Sequence, residues 1–577
     1  MSMRVLMTHV GWDAGAPASA VVSGLRPGTL PTCALVGVDG VRTDLTATPA
    51  EVVDAWQGGA YSRVQLEGIE AGTYRVEATA DGATVSSAAF TVAEDRIPGS
   101  TLSDVLYAFR SVRSSGEIDA KDAHAFLIDR PEGPTVDARG GWLDASGDPS
   151  KFLSHLTYSP TMSPQQIPIC VWAMFEARDQ LRLRHPRFDR VLGARLRDEG
   201  LFGADFLVRF RSPEGSFYSG IFDGLTKRLE ERVINAPLPE CVRTNRYQAS
   251  YRGGGGVAIA ALARAARVAE AEPLGAFTAA EYLDAANRAF DDLERHNADY
   301  LFGLDLASGE LTPSTESMVD DVCALLAATE LAALDPRSAV IEAAERRVSA
   351  LVGRYRMDAA PGRPGWFEAW DDGRPYFSPV EAGLPVVALT RFAAVLPTSP
   401  LAPAARELAV RTMADLVART DAVANPFGYP RQRVQPLGGA ARDAFFFPHD
   451  NDSGYWWQGE NATLASLAFA SRLVADLPEA DAALRARLHR FADDQVAWVL
   501  GRNPFDVCML QGRGRNNAEY SVDYPNVPGG IVNGITSAFD DERGITFLDP
   551  DRPGDSWRWA EQWIPHSAWF LLAVAAR

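Results

Sequence analysis

The spacing of apolar residues changes once along this chain of 577 residues, near residue 97. Before that point, short alternating runs such as RVLMTHV (4–10) and GTYRVEATA (72–80) are separated by Gly, Pro and Asp. Short strands at such spacing are typical of a small β-sandwich. We therefore predict a β-sandwich domain over residues 1–97, with an exit linker at 94–100.

After residue 97 the apolar residues recur with the period of a helix. Twelve segments predict helices, from residues 101–116 to residues 564–576. Segments such as 256–265 are apolar on every side, which indicates buried helices. The pattern predicts an all-α domain over residues 98–577, in which amphipathic helices surround a ring of apolar ones. The long connections, where function is expected, are 138–166, 211–254, 356–378, 424–460 and 502–563.

Charge and cysteine content exclude several classes of protein. The formal net charge of −19, from 56 Lys and Arg against 75 Asp and Glu, disfavours binding to nucleic acid. Five widely separated cysteines without a CxxC motif indicate free thiols rather than a disulfide framework or a zinc ribbon. No apolar stretch of about 18 residues predicts a membrane span. The first residues do not resemble a secretory signal, so we expect a cytoplasmic protein, or a secreted one if a leader has been removed.

The main candidates for chemistry are three carboxylic acids. GGWLDASGDPSKFLSHL (140–156) places Asp144 and Asp148 in a glycine-rich loop before a predicted helix. The N-terminus of a helix favours an ionised carboxylate, which suits a base that activates water. Glu561 lies among tryptophans in WRWAEQWIPHSAW (557–569), where lost hydration would raise its pKa and suit a general acid. The alternatives are an N-cap or turn for the aspartates and a surface position for Glu561.

A second group of residues suggests sugar binding. Trp456 and Trp457, in FFFPHDNDSGYWWQGEN (445–461), offer flat apolar faces with N–H donors. The polar residues of this segment are Asp450, Asn451, Asp452 and Glu460. They could bind hydroxyl groups, cap the next helix or ligate calcium. No EF-hand pattern is present, so we expect no required cofactor and leave a structural calcium ion open. Arg513 and Arg515 could recognise a uronic acid or another substituted sugar.

Several of these segments resemble glycoside hydrolase family 9, and the resemblance runs through nearly the whole chain. GGWLDASGD (140–148) is similar to the family's GGWxDAGD element with one inserted residue, Ser146. WWQGENATLASLAFAS (456–471) and VLGRNP (499–504) also match family positions. The resemblance implies a divergent, multidomain member with an N-terminal immunoglobulin-like β-sandwich followed by an all-α (α/α)6 barrel.

The same resemblance implies chemistry. It implies an inverting glycosidase, in which two carboxyl groups flank the scissile bond and leave room for a water molecule. Carried over by position, Asp148 matches the general base, Asp144 its partner on the water, and Glu561 the general acid.

Departures from the family pattern bear on the substrate. Ser146 places Asp144 and Asp148 four residues apart rather than three, so Asp144 remains an alternative base. QGRGRNN (511–517) stands where the family has a PHHR-type element, and Ala560 stands where an asparagine usually precedes the acid. The surface that would bind cellulose is therefore rewritten.

Our first hypothesis is an inverting glycoside hydrolase that cleaves a β-linked oligo- or polysaccharide, as a monomer or homodimer. A cytoplasmic location would favour oligosaccharides and exo action. The residues expected to bind substrate are Trp142, His155, His449, Tyr455, Trp456, Trp457, Arg513, Arg515, Trp557 and Trp563.

Two other classes of function remain open. The first is a polysaccharide lyase, in which His449 or Tyr455 would act as base while Arg513 and Arg515 neutralise a uronate. The second is a non-catalytic carbohydrate-binding protein.

Overall fold

A computed structural model describes residues 2–66, 68–153, 163–238, 241–305, 308–357, 362–453, 456–521 and 524–577. A β-rich region comes first and ends with a strand at Phe90–Ala93. A helical region follows and begins at Arg96. No helix in these ranges is long and apolar enough to cross a lipid bilayer.

The β-rich region is built from two sheets. Its strands are β1 Arg4–Leu6, β2 Trp12–Asp13, β3 Ser19–Leu25, β4 Thr32–Gly37, β5 Arg42–Leu45, β6 Glu51–Val52, β7 Ala60–Gln65, β8 Gly72–Ala80, β9 Ala83–Ser86 and β10 Phe90–Ala93. One sheet has the order β1-β3-β7-β6 and the other β2-β10-β8-β4-β5, with β9 paired to β8. Val76 and Ala78 of β8 are buried while Arg75 is exposed, so the strand alternates as the sequence predicts.

Fourteen α-helices are present in the described residues. They are α1 Arg96–Ser111, α2 Gly116–Asp122, α3 Ile167–Arg184, α4 Pro186–Arg209, α5 Gly256–Ala271, α6 Ala279–His296, α7 Met318–Ala332, α8 Ser338–Arg354, α9 Leu384–Val395, α10 Ala402–Asp421, α11 Asn461–Ala475, α12 Ala482–Val499, α13 Trp557–Ala560 and α14 Ile564–Ala575. The predicted apolar helices are confirmed as buried, since residues 256–265 of α5 and every residue of α14 are buried.

Six of the helices form a closed inner ring. In ring order they are α3, α5, α7, α9, α11 and α14, and α14 contacts α3 again. Each inner helix also packs against an outer neighbour: α4, α6, α8, α10, α12 and α1 in the same order. The core of the helical region therefore lies on the inner helices, where apolar residues occur on all sides.

The prediction of an exit linker at residues 94–100 is wrong, because residues 96–100 are helical. Helix α1 begins at Arg96, since the Asp13 carboxylate of the β-rich region accepts the N–H of Ile97 at 2.8 Å. A side chain distant in sequence thus supplies the hydrogen bond that a local cap would supply.

Short strands occur in the long connections between helices. A four-stranded sheet joins β11 Lys151–Phe152, β12 Gly220–Phe222, β13 Val233–Pro237 and β14 Arg243–Thr244. Four hairpins pair β15 Phe302–Leu304 with β16 Leu311–Pro313, β17 Tyr355–Arg356 with β18 Trp366–Phe367, β19 Gln432–Val434 with β20 Arg442–Ala444, and β21 Thr536–Ser537 with β22 Ile545–Thr546. The four-stranded sheet begins three residues after Asp148 and anchors the loop that carries it.

Candidate active site

The two aspartates lie on a tight loop of residues 142–150, here called the Asp loop. Gly140 and Gly141 lead into it with φ of 86° and 71°, a left-handed backbone that favours glycine. Asp144 donates its backbone N–H to the carbonyl of Ser150 at 3.0 Å. Asp148 accepts the N–H of Ser150 on its Oδ1 at 2.9 Å. These bonds hold both carboxyl groups on one short, closed turn.

The third carboxyl group lies on residues 561–564, here called the Glu segment, between α13 and α14. Glu561 ends the single turn of α13 and has an extended backbone, with φ of −64° and ψ of 138°. The Glu segment pairs with the Asp loop through Ser146, which donates its N–H to the carbonyl of Gln562 at 2.8 Å. Gln562 in turn donates its N–H to the Ser146 hydroxyl at 3.0 Å. The inserted residue therefore joins the two segments that carry the three acids.

All three acids line one cavity of about 220 Å³. Its walls are formed by Asp144, Ala145, Gly147, Asp148, Leu225, Trp456, Gln458, Tyr520, Trp557, Glu561 and Trp563. The structure thus brings together residues from five separate parts of the chain. None of the described lining residues is Lys, Arg or His, so the walls combine carboxyl groups with indole rings.

Burial raises the pKa of Asp144 and of Glu561. The pKa of Asp144 is raised well above its usual value, first by burial and then by the neighbouring Asp148 carboxylate. Trp563 opposes this rise, because its Nε1–H donates to Asp144 Oδ1 at 2.9 Å. Burial and the Asp148 carboxylate raise the pKa of Glu561 to about 8, against the lowering effect of Lys227. Glu561 is therefore protonated at neutral pH.

Three of the five tryptophans expected at the site line the cavity: Trp456, Trp557 and Trp563. The expectation for Trp142 is corrected, since it is fully buried and donates its Nε1–H to Glu199 at 2.8 Å. Trp457 is also fully buried and lies outside the cavity walls. Both rings therefore pack in the protein interior rather than offering a face to a sugar.

His449 belongs to the packing around Trp457 and not to the cavity. Its ring stacks on the Trp457 ring, with centroids 4.0 Å apart and planes 8° apart. Its Nε2 lies 2.8 Å from the hydroxyl of Ser537. Burial, together with the charge of Arg558, lowers the pKa of His449 to about 4. His155 and Tyr455, which the sequence analysis also expected to bind substrate, lie outside the described residues.

The structure places Arg513 and Arg515 away from the cavity, which corrects the expectation that they bind substrate. Arg513 forms an ion pair with Asp104 of α1 on the surface. Arg515 is paired with Asp506, with 2.6 Å between Nη2 and Oδ1. Both guanidinium groups thus have structural partners, and neither lines the site.

Sequence reasoning missed four residues at or beside the site. Gln458 and Tyr520 lie within the segments singled out above, but nothing in their local pattern marks them. Leu225 lines the cavity from a turn between β12 and β13, and Lys227 of the same turn donates to the Gly147 carbonyl. Their positions follow only from the folding of a distant segment onto the Asp loop.

Contacts within the protein hold the segment 445–461, for which the sequence left a structural calcium ion open. Asp452 forms an ion pair with Arg374 at 2.9 Å, and Asn451 donates its side-chain N–H to nearby carbonyls. Burial raises the pKa of Glu460 well above its usual value, which disfavours a metal-binding carboxylate. Within the described ranges, no three His, Cys, Asp or Glu side chains are grouped so that they could hold a metal ion.

Comparison with known families identifies the chain. A model of glycosyl hydrolase family 9 matches residues 99–523, which is more than half of the chain. The chain therefore belongs to glycosyl hydrolase family 9, and it is a glycosidase. The matched range includes Asp144 and Asp148 and ends before Glu561. No curated protein matches the chain in a sequence search.

Solved structures share the fold. A metagenome-derived glycoside hydrolase family 9 endoglucanase has a TM-score of 0.66 at 17% identity, covering 99% of this chain and 98% of that one. AaCel9A in complex with cellobiose-like isofagomine has a TM-score of 0.62 at 16% identity, covering 99% of both chains. The family 9 endoglucanase J30 has a TM-score of 0.63 at 18% identity, covering 98% of this chain and 99% of that one.

Proposed function

We propose that this chain is an inverting glycoside hydrolase that cleaves β-linked oligo- or polysaccharide. Glu561 protonates the departing glycosidic oxygen. Asp148, with Asp144 as its partner, takes a proton from the attacking water molecule. The observation that carries the proposal is the placement of these three carboxyl groups around one cavity walled by indole rings.

The protonation states support these roles. A general acid must hold its proton at the working pH, and the raised pKa of Glu561 meets this requirement. Asp148 accepts the backbone N–H of Ser150, which fixes its carboxyl group on the Asp loop. The Asp148 carboxylate raises the pKa of Glu561, so one carboxyl group serves as base while the other keeps its proton as acid.

The cavity supports a neutral sugar as substrate. Its described walls contain no Lys, Arg or His side chain, and the Lys227 ammonium group beside them already binds the Gly147 carbonyl, while Trp456 and Trp557 offer faces on which a sugar ring can pack. Its volume of about 220 Å³ is below the range of roughly 300–1,000 Å³ for most ligand pockets. A small cavity favours a short oligosaccharide or the end of a chain, and thus exo action. One related structure was solved with a cellobiose-like compound, which supports β-linked glucose units as the first substrates to test.

The described residues do not support the lyase alternative. His449 is buried against Trp457, and Arg513 and Arg515 are paired with aspartates away from the cavity, while Tyr455, the other base of that alternative, lies outside the described residues. A non-catalytic carbohydrate-binding protein would not require a carboxyl group with a raised pKa such as that of Glu561. We therefore retain hydrolysis as the proposal.

The arrangement of helices supports a finer description of the fold. We assign residues 1–97 to an immunoglobulin-like β-sandwich and residues 98–577 to an (α/α)6 barrel. The support for the barrel is the closed ring of six inner helices, each with an outer partner.

The proposal is tested by product analysis on a panel of neutral, amino and uronic β-linked oligosaccharides. We expect hydrolysis of a neutral substrate, with NMR showing inverted configuration at the new reducing end. Asp148→Asn and Glu561→Gln should each abolish turnover, whereas Asp371→Asn, at a residue whose side chain is 93% exposed, should not. Activity that survives in Asp148→Asn but is lost in Asp144→Asn would move the base to Asp144. Hydrolysis with retained configuration, or full activity in Glu561→Gln, would refute the mechanism.

A further inference from the structure

Lysine is rare in this chain, and its few positions are informative. Only three of the 56 cationic side chains are lysines: Lys121, Lys151 and Lys227. Two of them bind backbone carbonyl groups in or beside the Asp loop. Lys151 Nζ donates to the carbonyls of Ala138 at 2.6 Å and Gly140 at 3.0 Å. Lys227 Nζ donates to the carbonyl of Gly147.

The turn that carries Lys227 has an unfavourable backbone. Leu225 and Lys227 each have a φ of 60°, in the left-handed region that residues other than glycine avoid. The Asp223 carboxylate holds the turn by accepting the N–H of Leu225 and the N–H of Lys227, both at 2.9 Å. Such conformations persist where surrounding contacts require them, and they occur often at functional sites.

The strained turn places two side chains at the proposed active site. Leu225 forms part of the cavity wall. The Lys227 ammonium group binds Gly147 and lies 5.3 Å from the centre of the Tyr524 ring. Gly147 is the contact that matters, because its Cα packs against the Glu561 carboxyl group: a Cβ added to Gly147 would lie 3.0 Å from Glu561 Oε1. One peptide segment of the Asp loop thus connects Lys227 to Glu561.

We propose that Lys227 is a positioning residue for Glu561. By binding the Gly147 carbonyl, it holds Gly147 against the Glu561 carboxyl group. Its positive charge also stabilises the carboxylate that Glu561 becomes after it has protonated the leaving group. The inference rests on the proposed function, in which Glu561 is the general acid.

The groups around Glu561 set the direction of the effect. Burial and Asp148 favour the protonated form, as does the negative charge of Asp144, whereas Lys227, Asn533 and Gly147 favour the ionised form. Tyr520 is neutral, because burial and the charge of Glu561 raise its pKa. Loss of the Lys227 charge should therefore leave Glu561 a weaker acid that keeps its proton to higher pH.

The test compares three substitutions of Lys227 in the full chain. Lys227→Met removes both the charge and the donor, Lys227→Gln keeps a donor without charge, and Lys227→Arg keeps both. We expect the alkaline limb of kcat/KM to move up by roughly half a pH unit or more in Lys227→Met. Lys227→Arg should restore the wild-type limb. Lys121→Met is the matched control, since Lys121 lies over the Phe126 ring away from the cavity.

The leaving group gives a second kinetic readout. A weaker acid should slow substrates with a poor leaving group, such as an unsubstituted disaccharide. It should slow a dinitrophenyl glycoside much less, because that leaving group departs with little proton transfer. A lysine with only a structural role would reduce both rates equally, and that result would refute the proposal, as would an unmoved alkaline limb.

An infrared titration separates failure of this inference from failure of the proposed function. The carboxyl band of Glu561 is assigned by its loss in Glu561→Gln, and its pH midpoint is then compared in wild type and Lys227→Met without substrate. A higher midpoint in Lys227→Met supports the positioning role even if the enzyme is inactive on the panel. Equal midpoints refute that role even if Glu561 is essential for hydrolysis.

Discussion

Trp563 donates its indole N–H to the Oδ1 of Asp144 at 2.9 Å, across the seam between the Glu segment and the Asp loop. A backbone hydrogen bond reinforces this contact, because the next residue, Ile564, donates its N–H to the Asp144 carbonyl at 3.1 Å. A residue 419 positions away thus orients the Asp144 carboxyl group. Because the hydrogen bond favours the ionised form, it opposes the effect of burial on the pKa.

Loss of this hydrogen bond should impair the base side of the reaction. In Trp563→Phe, the missing bond to a charged group is worth about 1.5–3 kcal/mol, so kcat/KM should fall by roughly tenfold or more. The acidic limb of the pH profile should also move to higher pH, because the Asp144 pKa rises further. Steady-state kinetics across pH measure both effects. Trp569→Phe, at a buried tryptophan of α14 outside the cavity, is the control. Equal profiles for the two variants would contradict the prediction.

The pH profile of the wild-type enzyme should reflect the raised pKa of Glu561. The acid must be protonated to act, so kcat/KM should fall as the pH rises through about 8. The acidic limb should lie above the range of an ordinary aspartate, because Asp144 and Asp148 share one buried site. The rate measured from pH 4 to pH 10 tests both limbs. A descending limb below pH 6 would show that Glu561 has an ordinary pKa and is not the acid inferred here.

Ser146 should matter more for its backbone than for its hydroxyl group. Ser146→Ala loses one acceptor for the Gln562 N–H, a bond worth about 0.5–1.5 kcal/mol, and should keep activity within about tenfold of wild type. Deletion of Ser146 also removes the backbone bond to Gln562 and shifts Asp148 relative to Glu561. Because small displacements of catalytic groups cost about 100-fold, the deletion should be far more damaging. Full activity in the deletion variant would show that the pairing is dispensable.

Trp142 and Trp456 should respond to substitution in opposite ways. Trp142→Phe breaks the buried hydrogen bond to Glu199, so the free energy of unfolding should fall by about 1–3 kcal/mol while KM is unchanged. Trp456→Phe should raise KM with little loss of stability, because this ring lines the cavity. Denaturant unfolding and steady-state kinetics on both variants make the comparison. A raised KM in Trp142→Phe would return that residue to the substrate site.

Glu381 should make stability depend on pH independently of the active site. Burial raises its pKa to about 8 in the folded protein, against an ordinary value of 4.5. The folded state therefore binds more protons than the unfolded state between these values, and its stability falls as the pH rises toward 8. Glu381→Gln should remove part of this slope, and at pH 8 it should be more stable than wild type by up to a few kcal/mol. Denaturant unfolding at pH 5 and pH 8 measures the slope, with exposed Glu94→Gln as control; an unchanged slope in Glu381→Gln would refute the assignment.

Much of the helical region was predictable, because a buried helix has apolar residues on all of its faces and this pattern is visible in the sequence. A helix such as α14 is apolar on all sides, and this pattern places it inside the ring of helices. The start of α1 was not predictable in the same way. Its first turn depends on the Asp13 carboxylate, which is remote in sequence, and local patterns do not record such a partner.

The aromatic and arginine residues show the same limit at the site. Trp142 and Trp456 both lie beside candidate acids or other tryptophans in sequence, yet one is fully buried and the other lines the cavity. Arg513 seemed suited to an anionic sugar until the fold placed Asp104 against it. The sequence shows the chemical type of each side chain, but the packing of the folded protein determines which group it contacts.

The order of the β-rich and helical regions can be predicted from the sequence alone, because the spacing of apolar residues differs between strands and helices. The motifs likewise mark Asp144, Asp148 and Glu561 as candidate acids. The meeting of the Asp loop and the Glu segment at Ser146, and the packing of Leu225 and Lys227 beside them, follow only from the folded structure. These contacts join segments far apart in the chain, and their geometry is set by the packing of the whole inner ring rather than by neighbouring residues.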